Sequence, residues 1–207
     1  MLIGVDFDNT IVCYDELFHR VAVEQGLIPS SVPTTKREVR RYLEGRGLGD
    51  AWTELQGYVY GVRLLEAPAF PGVLEFFRRG VRSDLSLAII SHKTRYPARG
   101  PRYDLHQAAR RWLEVNGFYD PGRIGLPADR VYFELSQREK VGRIAREGCA
   151  CFIDDLPELL TRPDFPSGVR RRILFDPHGH HAPAEGLCHT TSWAEIERLI
   201  PCSNLAS

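Results

Sequence analysis

Short, fully apolar runs alternate with amphipathic stretches along this chain of 207 residues. The apolar runs predict strands at Leu2–Val5, Leu85–Ile90, Val131–Phe133, Cys149–Ile153 and Arg172–Phe175. Strands that are apolar throughout are typical of a parallel sheet with helices on both faces. We therefore expect an α/β, Rossmann-like fold in which helices flank a mostly parallel five-stranded sheet.

Helical spacing and capping residues predict the helices between these strands. The segment Asp104–Asn116 has apolar residues at helical spacing and is followed by Gly117, a frequent stop signal. Ser136 and Glu139 form a capping box that would open another helix, which ends near Gly148. Both helices fall between predicted strands, as an α/β fold requires.

One long segment interrupts the alternation of strands and helices. About eighty residues separate the first two predicted strands, and their pattern is helical throughout, which is too long for one crossover helix. Helices are predicted there at Asp15–Gln25, Thr35–Glu44 and Asp50–Tyr60. We therefore expect a core of residues 1–12 and 70–207 with a helical insertion at residues 13–69.

Acidic residues follow two of the predicted strands. Asp6 and Asp8 come after the first strand, and Asp154 and Asp155 come after the fourth. Ligands of open α/β sheets bind beyond the carboxyl ends of the strands, so we expect these side chains to lie together. Four carboxylates at one sheet edge would repel one another unless a cation lay among them. An all-oxygen set of ligands favours Mg²⁺ over zinc.

Two further polar residues stand where the same edge is expected. Ser91 follows the second predicted strand, and Lys140 lies in the opening turns of the helix before the fourth. A positive charge near the start of a helix is mildly unfavourable because it opposes the helix dipole. Nearby carboxylates and a phosphate group would compensate this cost. An aspartate can attack phosphorus while a second carboxylate protonates the leaving alkoxide and then activates water. We predict that Asp6 is this nucleophile and that Asp8 is the acid/base.

In this order the four elements resemble the motifs of the haloacid dehalogenase superfamily, chiefly its phosphatase branch. The run Asp6–Thr10 resembles the first motif, and Phe152–Asp155 resembles the fourth. Ser91 resembles the second, whose hydroxyl binds the transferring phosphoryl group, and Lys140 the third, which neutralises the nucleophile and the phosphate. Asn9 stands where glycine is common in the family.

The resemblance implies a set of metal ligands, a reaction and a cap. Magnesium would be held by the carboxylates of Asp6, Asp154 and Asp155 and by the backbone carbonyl of Asp8. Because family members that cleave carbon–halogen bonds lack the second aspartate of the first motif, Asp8 favours phosphoryl transfer. An insertion directly after the first motif is where the family places a small helical cap, which closes over the site and selects the substrate.

The segment after the second predicted strand is rich in basic residues. We expect His92, Lys93 and Arg95 to bind the anionic body of the substrate, because loops at this edge of a sheet often carry function. A solvated loop explains the same composition equally well. Lys93 also stays an alternative to Lys140 as the lysine that binds phosphate, although the position of Lys140 just before the acidic pair favours Lys140.

The charge balance and the cysteine content bear on the expected binding partners and on the cellular compartment. The 27 basic and 27 acidic residues cancel, which gives no overall reason to bind nucleic acid or a membrane surface. We expect no signal peptide, because Asp6 and Asp8 interrupt the first apolar run, and no membrane span, because no apolar stretch approaches about 18 residues. The odd number of cysteines is typical of free thiols in a reducing compartment, here Cys13, Cys149, Cys151, Cys188 and Cys202. We therefore expect a soluble, cytoplasmic protein.

A histidine-rich segment follows the last predicted strand. Residues 178–189 contain four histidines and one cysteine. Their spacing matches no regular zinc pattern, so the segment is interpreted as a loop without a specific metal role.

Together these features predict a magnesium-dependent phosphomonoester hydrolase that acts on a small phosphorylated metabolite through an aspartyl-phosphate. A phosphomutase or phosphotransferase would use the same covalent step and stays an alternative. A phosphoacceptor signalling module is disfavoured, because there the acceptor aspartate ends a central strand and the acidic pair ends the first. A non-catalytic binding protein would lack a catalytic position, and none is missing. The substrate and the oligomeric state stay open.

Overall fold

The computed structural model describes residues 1–83 and 85–200. They contain a six-stranded sheet with the strand order β3-β2-β1-β4-β5-β6, in which every pair of neighbours is parallel. Its strands are β1 (Leu2–Val5), β2 (Ser86–His92), β3 (Val131–Glu134), β4 (Cys151–Asp154), β5 (Arg171–Phe175) and β6 (Cys188–Thr190). Cys202 and the end of the predicted core lie outside the described residues.

The strand predictions are confirmed in place but wrong in number. β1 has the bounds that its apolar run predicts, and the next four strands lie close to their predicted bounds. The sequence pattern does not reveal β6, so the predicted count of five strands is wrong. β6 has three residues at the edge of the sheet, and two of them, Cys188 and His189, are only half-buried, so no apolar run marks it. The segment 178–189 is therefore not a loop throughout.

β1 lies at the centre of the sheet, between β2 and β4. Gly4 permits close packing there, because a Cβ atom at this position would lie 2.5 Å from the Phe152 ring. The backbone N–H of Asp6 donates to the carbonyl of Ile153 at 2.9 Å, so the pairing of β1 with β4 extends to Asp6. Because the strands are parallel, the carboxyl ends of β1, β2 and β4 meet at one edge of the sheet.

The described residues form eight α-helices. They are α1 (Asp15–Glu24), α2 (Lys36–Glu44), α3 (Gly49–Tyr58), α4 (Val73–Arg82), α5 (Leu105–Val115), α6 (Gln137–Glu147), α7 (Pro157–Leu160) and α8 (Trp193–Leu199). The predicted capping box is confirmed, because Ser136 Oγ accepts a bond from the Glu139 N–H and donates one to its carboxylate. α6 ends at Gly148, which has a left-handed conformation. Within residues 1–83 and 85–200, no helix is long and apolar enough to cross a membrane.

The chain groups into two compact units. The sheet unit comprises Met1–Ile11, Ala69–His92 and the described residues from Gly117 on, so it contains all six strands. The helical unit comprises Val12–Pro68 and Lys93–Asn116, and it contains α1, α2, α3 and α5. The assignment of a cap to residues 13–69 stays a prediction.

Helices cover both faces of the sheet unit. On one face, Ile144 of α6 packs with Phe152 of β4 in a single apolar cluster. On the other face, α4 and α8 meet through Phe76 and Trp193, whose ring centroids lie 5.1 Å apart. Trp193 also contacts Phe175 of β5. Both faces of the sheet are thus packed against helices.

The helical unit contains a π-helical turn. The third insertion helix is predicted to reach Tyr60, but α3 ends at Tyr58 and Val59–Arg63 continues as a π-helix. Gly61 in this turn lies so close to Tyr103 that a Cβ atom would overlap the tyrosine side chain. The wider turn therefore allows close packing of two segments within this unit.

Candidate active site

A tight turn directly follows β1. The N–H of Ile11 donates to the carbonyl of Phe7 at 3.0 Å, which closes a single helical turn. Asn9 in this turn has a φ of 57°, and it is the one non-glycine residue with positive φ in the described ranges. Asparagine adopts this left-handed conformation more readily than most residues. Trp193 Nε1 donates to the carbonyl of Thr10 at 3.1 Å, so α8 fixes the same turn.

Three carboxylates meet at the carboxyl edge of the sheet. Asp6, Asp154 and Asp155 each offer one oxygen, and these oxygens lie within 4.8 Å of one another. We call these residues the acidic trio. Asp6 and Asp154 are almost completely buried, and Asp155 is half-buried. These three residues are the carboxylate ligands that the motif resemblance implies, and their oxygen-only donor set fits a hard divalent cation.

Lys140 links two members of the acidic trio. It lies in the opening turns of α6, on the buried face that also carries Val141. Its Nζ atom donates to Asp6 Oδ1 at 2.5 Å and to Asp154 Oδ2 at 2.6 Å. Burial alone would lower the pKa of Lys140, but the charges of these carboxylates outweigh it and raise the pKa. Lys140 therefore carries a permanent positive charge inside the site.

The charge of Asp154 depends on its surroundings. The pKa of Asp154 is raised to about 7, chiefly by burial and further by the charge of Asp6. The ammonium group of Lys140 and the N–H of Leu156 act in the opposite direction, since both donate to this carboxylate. The raised pKa means that burial costs more than Lys140 alone offsets.

Among the described residues, two buried hydroxyls near the strand ends lack hydrogen-bond partners. Ser91 lies in β2, the strand next to β1, and Thr10 lies in the turn after β1. Within residues 1–83 and 85–200, neither Ser91 Oγ nor Thr10 Oγ1 has a hydrogen-bond partner. A buried hydroxyl without a partner costs about 1–3 kcal/mol, so each is suited to a ligand oxygen that the chain does not supply.

Asp8, the predicted acid/base, lies in the same turn as Asn9. Its side chain is half-buried, two residues after Asp6. Its backbone carbonyl, and not its carboxylate, is the predicted metal ligand, so its absence from the acidic trio does not contradict that prediction.

The three predicted substrate contacts belong to different units. His92 is the exposed last residue of β2 in the sheet unit, whereas Lys93 and Arg95 belong to the helical unit. Lys93 is buried, and its Nζ lies 4.8 Å from the ring centroid of Tyr60. Arg95 pairs with Asp104 at 3.1 Å. A role of these residues in substrate binding stays a prediction.

Asp176, which follows β5, was not singled out in the sequence, although its place after a strand resembles that of the predicted acids. It accepts hydrogen bonds from the backbone N–H of His181 and from His189 Nε2, at 2.8 and 3.1 Å. Burial alone would raise the pKa of Asp176, but the backbone N–H groups of His180 and His181 and the side chain of His189 lower it. Asp176 thus anchors the histidine-rich segment, whose histidines form no group of three or more close metal ligands among the described residues.

Three solved structures share this fold. A haloacid dehalogenase-like family hydrolase from Xanthomonas campestris is 14% identical, with a TM-score of 0.53 over 96% of this chain and 95% of that one. A HAD family hydrolase from Deinococcus radiodurans R1, solved with bound phosphate and sodium, is 14% identical, with a TM-score of 0.55 over 96% and 93%. A dehalogenase is 15% identical, with a TM-score of 0.57 over 98% and 97%.

No protein-family model and no curated protein matches this sequence. At identities of 14–15%, the likeness to the solved structures shows the fold alone. The resemblance drawn from the four sequence motifs is confirmed at that level, and so is the α/β, Rossmann-like class.

Proposed function

We propose that this chain, which has the fold of the haloacid dehalogenase-like hydrolases, is a magnesium-dependent phosphatase. In this proposal it hydrolyses a small phosphomonoester through a covalent aspartyl-phosphate on Asp6. The observation that carries the proposal is the contact of Lys140 Nζ with both Asp6 and Asp154. A buried ammonium group between two carboxylates is arranged to balance the negative charge that a phosphoryl group brings into the site.

Asp6 is suited to attack phosphorus because its carboxylate is held in place and shielded from water. It is almost completely buried, and its Oδ1 accepts a bond from Lys140. The attack forms a bond between a carboxylate oxygen and phosphorus and breaks the bond between phosphorus and the ester oxygen. The charge of Lys140 stabilises the phosphoryl oxygens as this exchange proceeds.

Asp8 moves the proton in both steps. In the first step it gives its proton to the leaving alkoxide, which departs as the alcohol. In the second step it takes a proton from water as the water oxygen attacks phosphorus and the bond to Asp6 breaks. Inorganic phosphate leaves, and Asp8 is protonated again for the next cycle.

The two buried hydroxyls supply donors for the phosphoryl group. Ser91 Oγ and Thr10 Oγ1 have no partner within the described ranges. A phosphoryl oxygen would satisfy such a donor, which turns the cost of burying it into binding free energy. Ser91 is the proposed contact, since it is the second-last residue of β2, the strand beside β1.

The acidic trio fits magnesium, with the backbone carbonyl of Asp8 as a proposed fourth ligand. Three carboxylates within reach of one another supply the oxygen ligands that this ion prefers. Magnesium, when bound, neutralises charge on the carboxylates and on the phosphoryl group. The phosphate and sodium in the Deinococcus radiodurans hydrolase support an anion together with a cation on this fold.

The class of substrate needs a direct test, because one of the solved structures is a dehalogenase. The presence of Asp8 supports a phosphate ester, since a carbon–halogen substrate needs no proton donor for its leaving halide. A phosphomutase would form the same aspartyl-phosphate but would release no inorganic phosphate.

We also propose a cytoplasmic location and no nucleic-acid or membrane partner. The cysteines in the described ranges are free thiols, namely Cys13, Cys149, Cys151 and Cys188. Free thiols are typical of a reducing compartment.

The test is a panel of phosphorylated metabolites, with magnesium present or removed by EDTA, assayed for released inorganic phosphate. Asp6→Asn should abolish release and keep the fold, as measured by circular dichroism. Asp176→Asn is the matched control, because Asp176 follows β5 in the way that Asp6 follows β1 but lies outside the acidic trio. Undiminished phosphate release by Asp6→Asn would exclude the mechanism. Halide release from a haloacid added to the panel, without phosphate release from any of the esters, would exclude the phosphatase.

A further inference from the structure

We infer that the side chain of Asn9 is a positioning group that fixes the orientation of the Asp155 carboxylate for magnesium. Asn9 Nδ2 donates to Asp155 Oδ2 at 3.2 Å, across a separation of 146 residues. The inference rests on the proposed function, in which Asp155 is one of the carboxylates that hold the metal. It concerns the side-chain amide of Asn9, to which the motif resemblance gives no role.

The carboxylates of the acidic trio accept hydrogen bonds from different donors. Lys140 donates to Asp6 and to Asp154, and the N–H of Leu156 also donates to Asp154. The bond to Asp155 comes from Asn9. Only the NH₂ end of an amide can face a carboxylate without repulsion, so the direction of this bond is fixed by chemistry. Asn9 therefore donates a hydrogen bond to Asp155, as Lys140 does to Asp6 and Asp154.

The backbone of Asn9 separates the role of its side chain from that of the turn. Its φ of 57° lies in the left-handed region, which glycine adopts at no steric cost. The turn itself therefore does not require a side chain at this position. Strained backbone persists where the surroundings hold it in place, and it concentrates at functional sites. The hydrogen bond from the Asn9 side chain to Asp155 gives the backbone such a hold.

Loss of this contact should weaken metal binding. A carboxylate that is fixed through one oxygen presents its remaining lone pairs in one direction, whereas a rotating carboxylate must be ordered when the ion binds. Removing a hydrogen bond to a metal ligand costs about 10–100-fold in metal affinity or activity. We therefore expect the dissociation constant for Mg²⁺ to rise by about tenfold or more when the amide is removed.

Two substitutions distinguish the amide from the backbone. Asn9→Gly removes the amide and keeps the left-handed turn, whereas Asn9→Ala removes the amide and disfavours the turn. Isothermal titration of the metal-free protein with Mg²⁺ should give similarly weakened binding for both. Thermal denaturation without metal should show an unchanged or higher Tm for Asn9→Gly and a lower Tm for Asn9→Ala.

The matched control is Trp112→Phe, which removes a buried tryptophan hydrogen bond to the carbonyl of Ala67; neither residue belongs to the acidic trio or to the turn after β1. It should lower the Tm and leave the affinity for Mg²⁺ unchanged. If Asn9→Gly binds Mg²⁺ as tightly as the wild type, the amide has no positioning role and the inference is wrong, while the phosphatase proposal stands. If the wild type itself binds no Mg²⁺, the metal site of the proposed function fails, and the inference fails with it.

Discussion

Replacement of Lys140 by methionine tests the charge arrangement of the site most directly. Methionine has a similar length and carries no charge, so Asp6 and Asp154 would remain as two buried carboxylates without the ammonium group. Removing one partner of a buried ion pair costs about 3–5 kcal/mol. In a chain of this size, 1 kcal/mol lowers the Tm by about 2–4 °C. We therefore expect the metal-free variant to melt roughly 6–20 °C below the wild type.

The control for this experiment lies on the same helix. Arg143 of α6 pairs with Glu134 at 2.6 Å and with Glu147 at 3.3 Å, but its side chain is 29% exposed. Partly exposed pairs contribute about 1 kcal/mol or less. Arg143→Met should therefore lower the Tm by no more than about 4 °C. Equal losses for the two methionine variants would refute the reasoning.

A double variant and magnesium extend the same test. Asp154→Asn added to Lys140→Met should recover part of the lost stability, because it removes one of the carboxylates whose burial is no longer compensated. Mg²⁺ should raise the Tm of Lys140→Met more than that of the wild type, since the ion can take the place of the ammonium charge. Circular dichroism melts in EDTA and in Mg²⁺ measure both effects. A double variant that is no more stable than Lys140→Met would contradict the account.

Two further predictions concern a hydroxyl and a helix cap. Ser91→Ala should leave the Tm unchanged or raise it, because the hydroxyl has no hydrogen-bond partner within the described residues. The same substitution should weaken competitive inhibition by inorganic phosphate several-fold. A lower Tm would show that the hydroxyl already has a hydrogen-bond partner in the folded protein. The N–H of Gln107 and the charge of Arg95 lower the pKa of Asp104 below its usual 3.8. The ionised carboxylate therefore stabilises the fold at pH values above 3.8. This stabilisation is lost as the pH falls through the pKa of Asp104 in the folded protein. Asp104→Asn keeps a helix cap but does not titrate, so in urea denaturation its deficit relative to the wild type should shrink from pH 7 to pH 3. A deficit that is constant across this range would contradict the assignment.

The strands and helices that carry the site are marked by local patterns. β1 is predictable because an apolar run ends at Asp6, and the start of α6 is predictable because Ser136 and Glu139 cap it. The order of the strands is not local, since it depends on which distant residues pair. The central place of β1 therefore comes from the structure.

Two elements escape sequence analysis for physical reasons. β6 is a short edge strand with half-buried residues, so it lacks the apolar run that marks a buried strand. The π-helical turn Val59–Arg63 continues α3 with one extra residue in the turn, and this change leaves the apolar spacing too little altered to detect.

The residues of the site are easier to predict than their contacts. The sequence indicates that Lys140 lies near the acidic residues, but its bridge between Asp6 and Asp154 depends on how α6 packs on the sheet. The bond from Asn9 to Asp155 joins residues that are 146 positions apart. No local pattern could reveal it, because it requires the left-handed turn and the end of β4 to meet.

The central position of β1 also bears on how the chain is made. β1 precedes both of its partner strands in the chain, and Asp6 is separated from Lys140 by 134 residues. At synthesis rates of about 5–20 residues per second, this gap corresponds to roughly 7–27 s. During that interval the apolar β1 is translated but has none of its partners from β4. The pairing of β1 with β4 therefore forms late in synthesis, and a translational pause before β4 would delay it further.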